Sequence, residues 1–324
     1  MHALMLEALH QPLAFQQTIV PIPGPDEELV ALHAAALNHR DVYIQQGLYA
    51  GIQTPVILGS DGAGVCKGRE VVICPGLYWG NDPRVQSKDF QVLGMPSNGT
   101  FAEFVCVPSE NVHPKPAHLD WAAAAALPLA GLTAWRLLFT RCRLQKGERV
   151  LITGIGGGVA LLGLQLAHAA GAEVWVTSGS DEKIIRAAGL GAAGGANYRE
   201  AGWDKQLKDK AKGFDLIVDS AGGDGFAALV GLCNPGARIG IYGGSLGKIN
   251  GLSPQIVFWK QINILGSSMG TNEEFADMLA FVARHRIVPV VDTSYELADG
   301  NAALERMRRG DQFGKIILQI ARMK

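Results

Sequence analysis

Residues 149–178 read RVLITGIGGGVALLGLQLAHAAGAEVWVTS. Two β-branched runs, RVLITG and EVWVTS, flank a stretch whose apolar residues recur at helical spacing and which closes at Gly171, a helix-ending residue. A strand, a helix and a second strand in so short a span make a parallel βαβ unit. The first turn, TGIGGGVA, is glycine-rich for a chemical reason. A pyrophosphate must approach the backbone N–H groups at a helix N-terminus more closely than any Cβ would allow. The register is Gly154-x-x-Gly157-x-x-Ala160 with Gly156 and Gly158 added, so Val159 stands where strict G-x-G-x-x-G would place glycine. The preceding strand and the following helix supply the context that makes such a run a dinucleotide site, held by Gly154, Gly156, Gly157, Gly158 and Val159.

The end of the second strand separates NAD from NADP, because an acid there accepts the ribose 2′-hydroxyl. It reads VTSGSDEK, with Ser178 at the strand end. Nothing at that position repels a 2′-phosphate. Ser178, Gly179, Ser180, Lys183 and Tyr198, with Arg199 beside it, form a candidate phosphate pocket, and NADP(H) is the expected cofactor. A plain N-cap at Asp181 and a solvated Lys183 is the alternative reading.

Outward from this unit, FDLIVDS, RIGIYG and NILGSS are further apolar runs, and each reads as a parallel strand buried on both faces. Before it, AAAAALPLAGLTAWRLLF reads as helical, and residues 1–116 show short β-like runs broken by Pro and Gly. After Gly270 come the helix EEFADMLAFVARHRI, the segment PVVD, a helix around AALERMRRG and a closing strand KIILQI, a tail expected to rejoin the first domain. The 324 residues carry 29 Lys+Arg against 30 Asp+Glu with no long charge run, which argues against nucleic acid or an anionic membrane as partner. Five scattered cysteines without a C-x-x-C pair encode neither a disulfide framework nor a cysteine zinc site, and fit a reducing compartment. The opening MHALMLEALHQPLAF has no basic n-region and no apolar run is long enough to span a bilayer, so a cytoplasmic location is expected.

With ALNHRDVY (36–43), QGLY (46–49), LGSDGAGV (58–65), GTFAEF (99–104), ALPLAGLTA (126–134), the glycine turn, GSDEK (179–183), Asn197–Tyr198 and GKIIL (314–318), the chain resembles the medium-chain dehydrogenase/reductase superfamily. The similarity is to its zinc-free quinone oxidoreductase branch, the zeta-crystallin-like proteins. The resemblance implies an α/β protein: a Rossmann parallel-sheet domain at 118–267 and a β-rich GroES-like catalytic domain from 1–117 and 268–324, with the active site in the cleft between them. It also implies a homodimer, joined through the strand NILGSS.

Zinc-containing relatives carry Cys near Asn38–Arg40 and a His-Glu pair at Ser60 and Asp61; here only the acid at Asp61 matches, and Cys74 stands alone where a structural zinc needs four cysteines. No metal is therefore expected. The resemblance implies hydride transfer from NADPH to a small-molecule acceptor, a quinone or an α,β-unsaturated carbonyl. Asn38, Tyr43 and Tyr49 are the catalytic candidates, Asn38 to orient and a tyrosine to donate a hydrogen bond or proton. His39, Thr133, Gly243, Gly244, Ser245, Ser268, Met269, Gly270 and Lys315 are further cofactor-binding candidates, Lys315 toward a phosphate. An alcohol dehydrogenase with atypical or no zinc, and a non-catalytic NADPH-binding protein, are the competing readings.

Overall fold

The computed structural model describes residues 1–320. The chain divides into two compact units, Met1–Leu132 with Gly270–Lys324, and Thr133–Met269. In chain order the first stretch contains β1 (His2–Leu6), β2 (Ala14–Gln17), β3 (Glu27–Ala36), α1 (His39–Gln45), β4 (Val56–Ile57), β5 (Asp61–Cys66), β6 (Arg69–Ile73), β7 (Gly76–Leu77), β8 (Gln91–Val92), β9 (Phe104–Pro108), β10 (Val112–Pro114), α2 (Trp121–Ala125) and α3 (Pro128–Trp135). The middle stretch contains β11 (Arg149–Ile152), α4 (Gly158–Ala169), β12 (Glu173–Ser178), α5 (Asp181–Ala188), β13 (Ala192–Asn197), α6 (Trp203–Ala211), β14 (Phe214–Asp219), α7 (Phe226–Leu232), β15 (Cys233–Ile241), α8 (Pro254–Lys260) and β16 (Asn263–Gly266). The tail contains α9 (Asn272–His285), β17 (Val291–Glu296), α10 (Gly300–Arg309) and β18 (Lys315–Gln319).

In the first unit β3 is the organiser. It pairs antiparallel with β5, β9 and β18, so the tail strand closes on the N-terminal sheet, with β6 and β10 beyond β5 and β17 beyond β18. A smaller sheet of β2, β1 and β4 and the hairpin β7–β8 complete it. Side chains from these strands, from the segments between them and from α10 bury one apolar cluster, including Leu4, Leu32, Leu58, Phe101, Leu304 and Ile316.

The second unit is a six-stranded parallel sheet in the order β13-β12-β11-β14-β15-β16. The order reverses between β12 and β14 about β11, which opens a crevice at the carboxyl ends of β11 and β14. The strands Val150–Ile152 and Leu216–Val218 are buried on both faces, as their unbroken apolar runs require.

The first four residues of NILGSS form β16; as the sheet's edge strand it is mostly exposed rather than buried on both faces. The first compact unit runs on to Leu132, since α2 packs on β3 and β5. The alanine-rich stretch is not one helix: it breaks between Ala125 and Pro128, where the proline ring cannot continue a helix, and Cys142 N–H closes a wide turn on Leu137 O at its end.

Candidate active site

In the first unit, three adjacent strands deliver one buried polar cluster. Asp61 opens β5 and stands opposite Ala36 at the end of β3. Asn38, two residues on, is the N-cap of α1, and Lys315 begins β18, which pairs with the same end of β3 at Ile317 and Ala36. The Lys315 ammonium donates to Asp61 Oδ2 at 2.8 Å and to Asn38 Oδ1 at 2.6 Å, and Asn38 Nδ2 donates to Asp61 Oδ2 at 2.9 Å. Asp61 Oδ1 accepts the Leu129 N–H at 2.7 Å, and its carbonyl accepts the Thr100 hydroxyl at 2.8 Å. Asp61 is fully buried and Lys315 is 4% exposed. Ionised groups so far from water persist when paired and hydrogen-bonded, as both are here.

Beside this cluster Asp41 accepts the Asn38 N–H at 2.7 Å and completes the cap of α1, so it is a structural acid at a helix start. Its other oxygen is buried without a hydrogen-bond partner, and burial pushes its carboxyl up to about 6. Arg40 is also buried and donates to Ser60 Oγ and Leu93 O, both at 2.8 Å, while its guanidinium lies 5.6 Å from the Tyr49 ring centre. Tyr43 is half-buried one turn beyond the exposed His39, their ring centres 6.4 Å apart, and Tyr49 is 42% exposed. Asn38, His39, Tyr43, Tyr49 and Lys315 thus fall in one neighbourhood around α1, in which the Lys315 ammonium is held by side chains of its own unit. Gly270 is buried against Leu132, where a Cβ would stand 2.5 Å from Leu132 Cδ1.

In the second unit the glycine turn, Ser178–Ser180, Gly243–Ser245 and Ser268–Met269 lie at or just past the carboxyl ends of β11, β12, β15 and β16, while Thr133 lies on α3. Gly154 and Gly156 have φ of 65° and 132°, which favour glycine, and Gly157 is the N-cap of α4 with no side chain capping the helix. A Cβ on Gly154 or Gly157 would meet nothing within 4 Å, so the space over these N–H groups is open. That is the shape a pyrophosphate needs, with Gly158 and Val159 in the first helical turn. Thr153 anchors the turn: its hydroxyl donates to Asp219 Oδ1 at 2.7 Å, and Asp219 Oδ2 accepts Gly222 N–H at 2.8 Å.

At the end of β12, Ser178 Oγ accepts the Ser180 N–H, and Ser180 Oγ in turn caps α5 by accepting the Lys183 N–H. Tyr198 N–H donates to Ser178 O, so β13 and β12 end side by side. A Cβ on Gly179 would lie 2.8 Å from Arg199 Nε and 3.0 Å from the Tyr198 hydroxyl, which places both heads over that glycine. Asp181, at the start of α5, accepts the Asn197 amide at 3.1 Å. Ser245 N–H is tied to Ser220 O beside Gly243 and Gly244 in the turn after β15. The Thr133 hydroxyl lies 3.9 Å from the sulfur of Met269, which follows the exposed Ser268.

Sequence reasoning left Asp61 without a role and passed over Thr153 and Asp219. A lysine inside the apolar run KIILQI was the available signal, since a buried lysine requires an acid; a strand ending in Asp beside a Thr at the glycine turn was the other.

Residues 24–117 match the alcohol dehydrogenase GroES-like domain family and residues 158–284 the zinc-binding dehydrogenase family. The chain is 34% identical to a zinc-type alcohol dehydrogenase-like protein, YogA, of Leptosphaeria maculans, over 96% of each chain. It is 29% identical to the quinone oxidoreductase of Mus musculus, over 93% of this chain and 91% of that one. A crystal structure titled as an NAD-dependent alcohol dehydrogenase superposes with a TM-score of 0.94 at 35% identity, covering 99% of this chain and all of the other.

Zinc, which two of these names carry, does not fit the residues present. Among the described residues no three His, Cys, Asp or Glu side chains converge as a ligand set, and Asp61, the acid at the expected place, is engaged by the Lys315 ammonium. The order of strands in the Rossmann sheet, the GroES-like unit closed by the tail strand, and relatives matched nearly end to end agree. The chain belongs to the medium-chain dehydrogenase/reductase superfamily and is an oxidoreductase.

Proposed function

We propose that this chain is an NADPH-dependent oxidoreductase that reduces a quinone or an α,β-unsaturated carbonyl without a metal. The observation that carries the reading is the buried Asn38–Asp61–Lys315 cluster, where an ammonium occupies the acid that a metal would need. When bound, NADPH supplies the hydride. The chain's part is to hold the dinucleotide and to orient the acceptor. Gly156, Gly157, Gly158 and Val159 offer backbone N–H groups to the pyrophosphate, and the Ser180 hydroxyl, Lys183, Tyr198 and Arg199 surround the 2′-phosphate position. Gly154 gives the turn its shape, Ser178 and Gly179 keep the strand end free of acid and bulk, and Thr133, Gly243–Ser245, Ser268 and Met269 are this unit's residues for the nicotinamide half.

For the acceptor, negative charge develops on the quinone or carbonyl oxygen as hydride adds to carbon. Asn38 offers an N–H to that oxygen, and Tyr43 or Tyr49 offers a phenol that can pass the proton needed to complete the two-electron reduction. An unassisted secondary alcohol gives up its proton far less readily, which favours the quinone and enone reading over alcohol oxidation. The exposed edge of β16 suits antiparallel pairing with a second copy, so the same reading includes a homodimer. The described cysteines are all free, consistent with a reducing, cytoplasmic setting, and no described helix is long and apolar enough to cross a membrane.

The test is calorimetric titration of NADPH and NADH into chelator-treated protein, followed by nicotinamide absorbance with quinones, enones and secondary alcohols. Preference for NADPH with turnover of quinone or enone supports the reading. Alcohol-dependent reduction of NAD would replace it with a dehydrogenase, and tight NADPH binding with no turnover on any acceptor would leave a non-catalytic NADPH-binding protein.

A further inference from the structure

We infer that Lys315 and Asp61 are positioning residues that lock the Asn38 carboxamide in one orientation and so present its remaining N–H to the acceptor's oxygen. This rests on the proposed function and deepens it. An asparagine side chain can turn over, exchanging oxygen and nitrogen, at little cost where its neighbours are water. Here the neighbours decide. Asn38 Oδ1 receives the Lys315 ammonium at 2.6 Å, and Nδ2 gives a hydrogen to Asp61 Oδ2 at 2.9 Å. Turned over, the NH2 would face a cation that has only donors, and the oxygen would face a carboxylate that only accepts. Both clashes would be buried, where they weigh most.

The lock is itself held at every corner. The third edge of the triangle is the 2.8 Å bond from Lys315 to Asp61 Oδ2. Asp61 cannot swing away, because its Oδ1 holds the Leu129 N–H and its carbonyl holds Thr100. The Asn38 backbone is pinned in turn by Asp41. One Nδ2 hydrogen is spent on Asp61, and no described residue accepts the second, which is the one left for an acceptor; the residue as a whole keeps 8% exposure. A buried ion pair gives little net stability for its desolvation cost, and what this one supplies is direction.

The test compares Asn38→Ala, Lys315→Met and the double variant with the wild type. Lys315→Met is expected to lower kcat for the acceptor by about tenfold to a hundredfold, the range for a misaligned catalytic group. NADPH affinity should stay within about twofold, since the dinucleotide's phosphates are held elsewhere. The double variant should be no slower than Asn38→Ala alone, because the lysine acts through the asparagine. Losses that multiply, or a Lys315→Met enzyme with wild-type kcat, would overturn the inference. Should Lys315→Met fail to fold, Lys315→Gln keeps a donor but adds an oxygen that competes for it. That variant should lose at least about fivefold in kcat, and full activity would count against the lock.

A readout without turnover separates this inference from the reaction assigned above. The side-chain amide signals of 15N-labelled Asn38, identified by their loss in Asn38→Ala, should be well dispersed and slow to exchange in the wild type. They should collapse toward the free-asparagine position in Lys315→Met or Lys315→Gln. Dispersed signals in a protein that reduces no acceptor would sink the proposed reaction and leave the lock standing. Signals unchanged by the substitution would sink the lock whatever the reaction.

Discussion

Replacing Asp41 with Asn should make the first unit more stable at neutral pH and no different in mild acid. The carboxyl is fully buried, one oxygen accepts a single N–H, and the other has no partner. Burial raises it from 3.8 to about 6, against the opposing charges of Arg40 and Lys315 and with a small push from Asp61. The folded state therefore holds this proton more tightly than the unfolded chain does. The cost is absent below about pH 4, grows as pH rises from 4 to 6, and is fully present at pH 7. Two pH units at ~1.4 kcal/mol each give roughly 3 kcal/mol, an upper figure because asparagine must still cap α1. Unfolding of a two-unit chain is not a single transition, so the assay is amide hydrogen exchange of peptides covering α1 and β5, corrected for intrinsic rates. At pH 7 Asp41→Asn should exchange on the order of a hundredfold more slowly, and at pH 4 at the wild-type rate. Equal rates at both pH values, or faster exchange at pH 7, would refute the reasoning.

Other substitutions test other parts of the account. Lys315→Met strands a buried carboxylate and should cost the first unit about 3–5 kcal/mol, most of it recovered in Lys315→Met/Asp61→Leu, as urea-dependent hydrogen exchange of β18 peptides would show. Gly157→Ala has room in the fold and an ordinary φ of −78°, so its melting temperature should hold while NADPH affinity in calorimetry drops by at least about tenfold, the added methyl standing where the pyrophosphate belongs. Gly64→Ala, by contrast, would set a Cβ 2.2 Å from Ala31 O between β5 and β3, and should lower thermal stability severely. Ser178→Asp puts an acid at the end of β12 and should shift the ratio of kcat/KM for NADPH over NADH toward NADH by about tenfold or more.

What could be read from the sequence was local. The βαβ unit announced itself because its signals, an apolar run, a glycine turn and a helical period, lie within thirty consecutive residues. Edge and centre are properties of strand order, so NILGSS read locally as a strand buried on both faces, although β16 ends the sheet and lies exposed. The break before Pro128 was written in the chain, but the alanine run on one side and LAGLTAW on the other are both good helix, so residue type alone read straight through it. The site divides in the same way. Asn38 and Tyr43 share one helix start and were legible together. Lys315 and Asp61 lie 254 residues apart, and their bond exists only because β5 and β18 flank the same end of β3. Arg199 became a neighbour of Gly179 only through the parallel pairing of β12 with β13.

The most direct test of the central claim is the initial rate of NADPH oxidation by a quinone in protein shown by metal analysis to hold no zinc, with and without added zinc. Turnover is expected in the metal-free protein, unchanged by zinc and faster with NADPH than with NADH. Activity that appears only when zinc is restored would contradict it.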